Sequence, residues 1–315
     1  MPRPQKVDLH GKPNPHCRKC PPAERRRHSD DNLCPLTTSV DDGGPVRCVG
    51  DWANQKLHFL TQYLGIFGPG MNAKWEGNVH YVELCSGPGR CVVRDTGREM
   101  DGSPLAVLQH WAFPAFATAT FLDHDPAVIS ALTARIKRLN LQDKARALQA
   151  DYNDPDSIVL KIGQRPVKGL SLVFIDPTDC SVPFATVASI ADHLRSVDFI
   201  INLAVRTDAT RNIKRAILND DSESRAKYIK FLGGDAFFQD PEIQDMARFD
   251  RDAALRAKFR DQYTNQMRHI RYQYFDFQPV EHYYDLLFAS RHDLGLTFWK
   301  RAQKHRFDGQ RTLDF

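Results

Sequence analysis

The 315 residues carry 43 lysines and arginines against 39 aspartates and glutamates, a formal net charge of +4, with 42% hydrophobic residues. This content supports one large core, or a core with an appendage, and the near-balance of charge permits a nucleic-acid partner without requiring one. No run approaches the roughly 18 apolar residues that a membrane span needs, and the opening MPRPQKVDLHGKPNPH lacks the apolar core of a signal peptide, so a cytoplasmic protein with no membrane partner is expected.

Residues 1–50 show neither helical nor alternating periodicity and read as an irregular, Cys-rich arm. An odd total of seven cysteines disfavours a disulfide framework. Cys17-x2-Cys20 with Cys34 and Cys48 offers four thiolates, a set that suits a closed, structural zinc. Reduced thiols without metal are the alternative, because Cys34 and Cys48 do not form a second knuckle. From Asp51 the pattern becomes helical. Asp51 is the expected N-cap, Ala53, Leu57, Leu60 and Leu64 mark the apolar face, and Gly68-Pro69-Gly70 is expected to end the helix. Trp52 is expected in the core and Lys56 in solvent.

Strands and helices then alternate. VHYVEL (79–84) is a buried strand, followed by the glycine loop and an overhanging loop from Arg90 to Ser103. A helix is expected over 103–112 and a strand over 116–123. Asp125-Pro126 caps a helix, 145–151 is a strand, and Asp154-Pro155 caps another helix. LSLVFID (170–176) is a strand, 184–195 a helix and VDFIINL (197–203) a fifth strand. Residues 224–273 read as a helical insertion, with a last strand over 282–290 and a last helix over 293–302. The prediction is an α/β fold: a doubly wound, mostly parallel sheet over residues 51–315, with the N-terminal arm and the insertion attached.

In such a sheet ligands bind beyond the carboxyl ends of the strands. Four successive strands here end in acids: Glu83 before Cys-Ser86-Gly87-Pro-Gly89, then Asp123-His124, Asp151-Tyr152, and Asp176-Pro177-Thr178-Asp179. Glycines remove side chains where a ligand approaches the backbone, and a strand-end acid accepts ribose hydroxyls. A nucleoside ligand fits this pattern. A dinucleotide fits poorly, because no third glycine completes G-x-G-x-x-G, and no phosphate-cradling G-x-x-x-x-G-K-[ST] occurs.

The order of these acids around a short glycine loop resembles class I S-adenosylmethionine-dependent methyltransferases. More narrowly, the chain resembles the three-Cys-motif partner proteins, through Trp52 and Lys56, YVELCSGPG, Gly102 to Leu105, FLDHDP, the Asp151 strand end, FIDPTD and YYDLLFASRH, over roughly residues 51–302. The resemblance implies S-adenosylmethionine as cofactor and a three-Cys-motif protein as partner. It places Glu83, Gly87 and Gly89 around the methionine part, Asp123 on the ribose, and Asp151 with Tyr152 at the adenine; Ser86 in the loop and His124 beside Asp123 complete the expected binding set. The chain departs from the family where Glu83-Leu-Cys-Ser86 replaces D-L-F-A, and where Thr178 and Asp179 replace a glycine or aromatic.

Methyl transfer asks the protein to position nucleophile and sulfonium and to manage one proton. Asp176 is the candidate to orient or deprotonate the acceptor, with Asp179 assisting; a helix- or turn-capping role is the alternative. DPTD lacks the second proline and the aromatic of D-P-P-Y, which weakens a flipped-base substrate. The basic runs Arg25 to Arg27 and Arg211 to Arg215 sit near Asp30, Asp31, Asp220 and Asp221, so a nucleic-acid-binding module is a lesser expectation. A non-catalytic adaptor of the same fold is the other alternative.

Overall fold

The computed structural model describes residues 11–17, 33–163, 169–206, 210–218, 222–281 and 283–305. They group into two units, residues 1–149 with 297–315, and residues 150–296.

The first unit opens on an antiparallel pair, β1 (Leu33–Thr38) and β2 (Pro45–Val49). Residues 33–49 are therefore not irregular. Pro35 and Pro45 and a mixed burial pattern conceal the strand periodicity in the sequence. The helix α1 (Trp52–Asn72) follows, and it does not stop at Gly68-Pro69-Gly70. The glycines there are packing positions: a Cβ on Gly68 would lie 2.6 Å from the Phe116 ring, and one on Gly70 would lie 3.1 Å from Phe298. Asp51 has helical φ and ψ and makes no side-chain cap; its Oδ1 accepts from Asn54 Nδ2 at 2.8 Å instead. Lys56 is buried rather than in solvent, with its ammonium 5.5 Å above the Trp52 ring, a cation–π contact that offsets its desolvation.

Next come β3 (Val79–Leu84), β4 (Arg90–Val93) and β5 (Arg98–Asp101), with α2 (Ser103–Leu108) ending four residues earlier than expected. The expected overhanging loop at 90–103 is a hairpin turning at Thr96-Gly97, where Gly97 takes a φ of +66°. It joins the N-terminal strands in a four-stranded sheet of order β1-β2-β4-β5, with β2 parallel to β4. Glu99, on the outermost strand β5, is buried. Its carboxylate accepts from Asn14 Nδ2 and the Val40 N–H, each at 2.6 Å, and from Ser39 Oγ at 2.9 Å. These bonds satisfy a charge that burial alone would make costly. β6 (Thr118–Asp123), α3 (Pro126–Arg138) and β7 (Ala145–Gln149) complete the unit's alternation, with β3, β6 and β7 mutually parallel. Asp125 caps α3 as expected, accepting from the Ala127 N–H at 2.8 Å.

The second unit runs α4 (Pro155–Ile162), β8 (Leu170–Ile175), α5 (Phe184–Leu194), β9 (Val197–Leu203), α6 (Thr210–Leu218), α7 (Ser222–Leu232), α8 (Ala236–Gln239), α9 (Pro241–Arg248), α10 (Asp252–His269), β10 (Tyr274–Val280) and β11 (Tyr284–Ser290). The helical insertion is present as α7 to α10. α7, α8 and α10 share an aromatic cluster in which Phe259 meets Tyr228, Phe231 and Phe237, with ring centroids 5.7 to 6.0 Å apart. The chain then forms α11 (Asp293–Gln303), whose buried Trp299 lies edge-on to Tyr63 of α1 at 5.7 Å.

The strand order is β7-β6-β3 in the first unit and β8-β9-β11-β10 in the second. β8 and β9 are parallel, whereas β11 runs antiparallel to both β9 and β10. The mixed α/β fold with a mostly parallel sheet is as expected. β10 was not: it is half-exposed, contains Pro279 and lacks a clean alternation, as an outer strand tolerates. Among the described residues no helix is long and apolar enough to cross a membrane.

Candidate functional site

In the first unit the turn after β3 and the end of β6 are built together. Gly87, at φ +68°, donates its N–H to Asp123 Oδ2 at 2.9 Å, and Ser86 donates its N–H to the Leu122 carbonyl at 3.1 Å. The other Asp123 oxygen accepts from the Asp125 N–H at 3.2 Å, with His124 Nδ1 at 3.4 Å. His124 is more than half exposed, but the Asp123 side chain is 2% exposed. A carboxylate has about four acceptor positions, so Asp123 retains capacity for hydroxyl donors.

Arg47, on β2, covers this acid. Its guanidinium lies 3.9 Å from Asp123 Oδ2, and a Cβ on Gly87 would meet it at 3.3 Å. Sequence reading missed it, because Arg47 sits in a segment taken for an irregular arm.

Glu83 is fully buried and both of its oxygens are engaged: Tyr81 donates its hydroxyl to Oε2 at 2.8 Å, and Ser103 donates to Oε1. Glu83 thereby ties the strand end to the start of α2. Gly89 takes φ +87°. A Cβ there would lie 3.1 Å from Leu132 and 3.2 Å from Leu105. Its absent side chain lets the loop settle between α2 and α3. Gly89→Ala is therefore expected to cost about 2 kcal/mol or more, from a left-handed backbone plus overpacking, read as a lowered midpoint in urea.

The loop between the two glycines is pinned from α3. Buried Arg135 donates to the Pro88 carbonyl at 2.6 Å and forks onto Asp42 of the β1–β2 turn, at 2.7 Å from Nε and 2.9 Å from Nη2. This hydrogen-bonded guanidinium holds the Asp42 carboxyl down at about 2. The β1–β2 turn, the glycine loop and α3 thus share one bidentate ion pair.

In the second unit, Asp151 is exposed and closes its own turn, Oδ1 accepting from the backbone N–H and side-chain amide of Asn153 at 2.8 and 3.0 Å. The Tyr152 carbonyl accepts from Thr186 Oγ1 at 2.6 Å. Asp176, just past β8, accepts from Asn202 Nδ2 at 2.9 Å, and the same amide reaches the Pro177 carbonyl at 3.1 Å. Asp179 Oδ2 lies 3.2 Å from Lys227 Nζ on α7. Asn202 and Lys227 thus contact two of the candidate residues. A polar residue after the apolar run Phe199–Ile201 of β9 was the available signal for Asn202; Lys227 had none.

The zinc expectation finds no support. Cys34 lies on β1, and Cys48 lies on β2 opposite Val92 of β4, within hydrogen-bonded ladders rather than a knuckle. Among the described residues, which include Cys17 but not Cys20, no group of three or more His, Cys, Asp or Glu side chains is placed to hold a metal.

No family model matches the sequence, and no curated protein matches it. Solved structures do resemble the fold. The O-methyltransferase from Bacillus cereus in complex with SAH is 13% identical, covering 76% of this chain and 80% of that one at a TM-score of 0.39. The cofactor-bound Rv0187 from MTB is 13% identical, covering 86% and 89% at 0.42. The O-methyltransferase TomG from Streptomyces achromogenes, involved in tomaymycin synthesis and in complex with SAM, is 11% identical, covering 77% and 80% at 0.41.

Proposed function

We propose that the chain is a class I S-adenosylmethionine-dependent methyltransferase and, on its sequence resemblance, a three-Cys-motif partner protein acting beside a protein that carries that motif. The observation that carries this reading is the Gly87–Asp123 pair, a left-handed glycine whose N–H fixes a buried strand-end acid at 2.9 Å. Such a pair sets a side-chain-free backbone position beside an acceptor for vicinal hydroxyls, the geometry a nucleoside needs once Arg47 moves aside.

The residues fit the cofactor with one condition. Asp123 keeps acceptor capacity for the ribose, and Arg47 beside Gly87 offers a cation to an amino-acid carboxylate. Arg47 must swing from Asp123 for the hydroxyls to reach it. Glu83 shapes the loop through Tyr81 and Ser103 rather than presenting a bare carboxylate. Asp151 and Tyr152 are assigned to the adenine by resemblance. When bound, S-adenosylmethionine supplies an electrophilic methyl group. Asp176, oriented by Asn202, takes the proton of the acceptor hydroxyl or amine, and Asp179 with Lys227 borders it. Thr178 and Asp179 in place of a glycine or aromatic bear on the acceptor, not the cofactor.

Asp176→Asn is expected to lower methyl transfer by about 100-fold or more while leaving S-adenosylmethionine affinity unchanged. The measurement is incorporation of labelled methyl into partner protein, nucleic acid and metabolite fractions. Cofactor binding without transfer to any of them would favour an adaptor, a reading to which the covered Asp123 lends weight.

A further inference from the structure

A cavity of about 450 Å³ lies in the second unit where α5 and α10 end, and its charged lining is Arg195, Arg271, Arg291 and Asp192, three guanidiniums against one carboxylate. None of these residues belongs to the candidate site. The volume falls in the range of small-molecule sites, roughly 300–1,000 Å³, and exceeds what a lone inorganic anion fills.

The backbone at its rim is unusual. Arg195 ends α5 at φ +58°, and Arg271 follows α10 at φ +73°. Helix ends that turn left-handed there usually carry glycine, because a Cβ is strained in that conformation. Here both positions carry arginine, and both side chains line one cavity. Strained residues that persist together at one concave surface point to a ligand rather than to packing.

Arg291 supplies the frame. Its guanidinium donates to the carbonyls of Arg195, Ala191 at 3.2 Å and Ile270 at 3.1 Å, and it lies 4.8 Å over the Tyr272 ring. It therefore neutralises the carbonyl ends of both helices, which would otherwise repel an anion. Its Nε is buried and has no hydrogen-bond partner among the described residues. Arg195 and Arg271, largely exposed, are left to meet a ligand.

We propose that this cavity binds a soluble, phosphate-bearing small molecule of nucleotide size, its phosphates forked by Arg195 and Arg271 and its organic part set against Ile270.

The test is calorimetry on the full chain with ADP and pyrophosphate as probes, comparing wild type with the double variant Arg195→Gly/Arg271→Gly. Glycine removes both charges while relaxing both backbones, so the variant is expected to melt no lower than wild type and to bind both probes at least about tenfold more weakly. Asp123→Ala should leave pyrophosphate affinity unchanged, a probe with no nucleoside for the candidate cofactor site to hold, which separates this cavity from that site. Equal ADP affinity in wild type and double variant would overturn the proposal, as would the absence of binding by wild type. A single-stranded RNA oligonucleotide that binds far more tightly than ADP, and loses that affinity in the same variant, would replace the small ligand with a nucleic acid and also overturn it.

Discussion

Asp123→Ala is expected to weaken S-adenosylmethionine binding by about 10- to 100-fold, the loss that follows from removing charge-assisted hydrogen bonds to ribose hydroxyls. Two effects combine in that number. The ribose loses its acceptor, and the Gly87 N–H loses the oxygen that holds it at 2.9 Å. Asp123→Asn separates them. It keeps one carbonyl oxygen able to accept from Gly87 but drops the negative charge, so its dissociation constant should fall between wild type and Ala. Arg47 adds a sign that can be read in the same titrations. Its guanidinium stands 3.9 Å from the carboxylate, so Asp123→Ala also leaves a partly buried cation with less compensation, and a modest fall in melting temperature should accompany the loss of affinity. Wild-type affinity in the Ala variant would remove Asp123 from the cofactor.

Asp42→Ala is expected to be the most destabilising of the substitutions discussed, by about 3–5 kcal/mol, because it leaves the buried Arg135 guanidinium without its carboxylate. Thermal unfolding is the measurement, and the midpoint should drop by roughly 5–15 °C. Replacing the pair together, as Asp42→Leu with Arg135→Met, should recover part of that loss, since no charge is then stranded; the Pro88 carbonyl still loses its donor. The pair also predicts a pH dependence. The Asp42 carboxyl is held below its ordinary 3.8, at about 2. A depressed carboxyl contributes stability that is present above its unfolded pKa and is lost as pH falls through the folded one. Wild type should therefore lose about 1–2 kcal/mol from this group between about pH 4 and pH 2, after allowance for nearby solvent. The Asp42→Ala chain should lack that component. Equal unfolding midpoints for the two chains at neutral pH would show that the ion pair does not anchor the glycine loop.

The sheet was legible because its strands are either mostly apolar before an acid, as in VHYVEL and LSLVFI, or bracketed by Asp-Pro caps, as at Asp125 and Asp154. Those signals are local, and they located β3, β6, β8 and β9 to within two residues. β1, β2, β4 and β5 were not legible. Each is four to six residues long, and what holds them is non-local: Glu99 bonded to Asn14, 85 residues away, and Asp42 bonded to Arg135, 93 residues away. The same cause hid half of the candidate site. Gly87 and Asp123 could be read from strand-end chemistry, and the structure joins them. Arg47, Arg135 and Lys227 could not, because each reaches its partner across a long stretch of chain. Gly89 shows the converse. Its place in the motif suggested a cofactor contact, and Leu105 and Leu132 add a packing reason for its missing Cβ that the motif does not show.

The most direct test of the central claim is a calorimetric titration of the purified full chain with S-adenosylmethionine, alone and beside its proposed three-Cys-motif partner. The account predicts saturable one-site binding that Asp123→Ala weakens. Heats no larger than dilution under both conditions would contradict it.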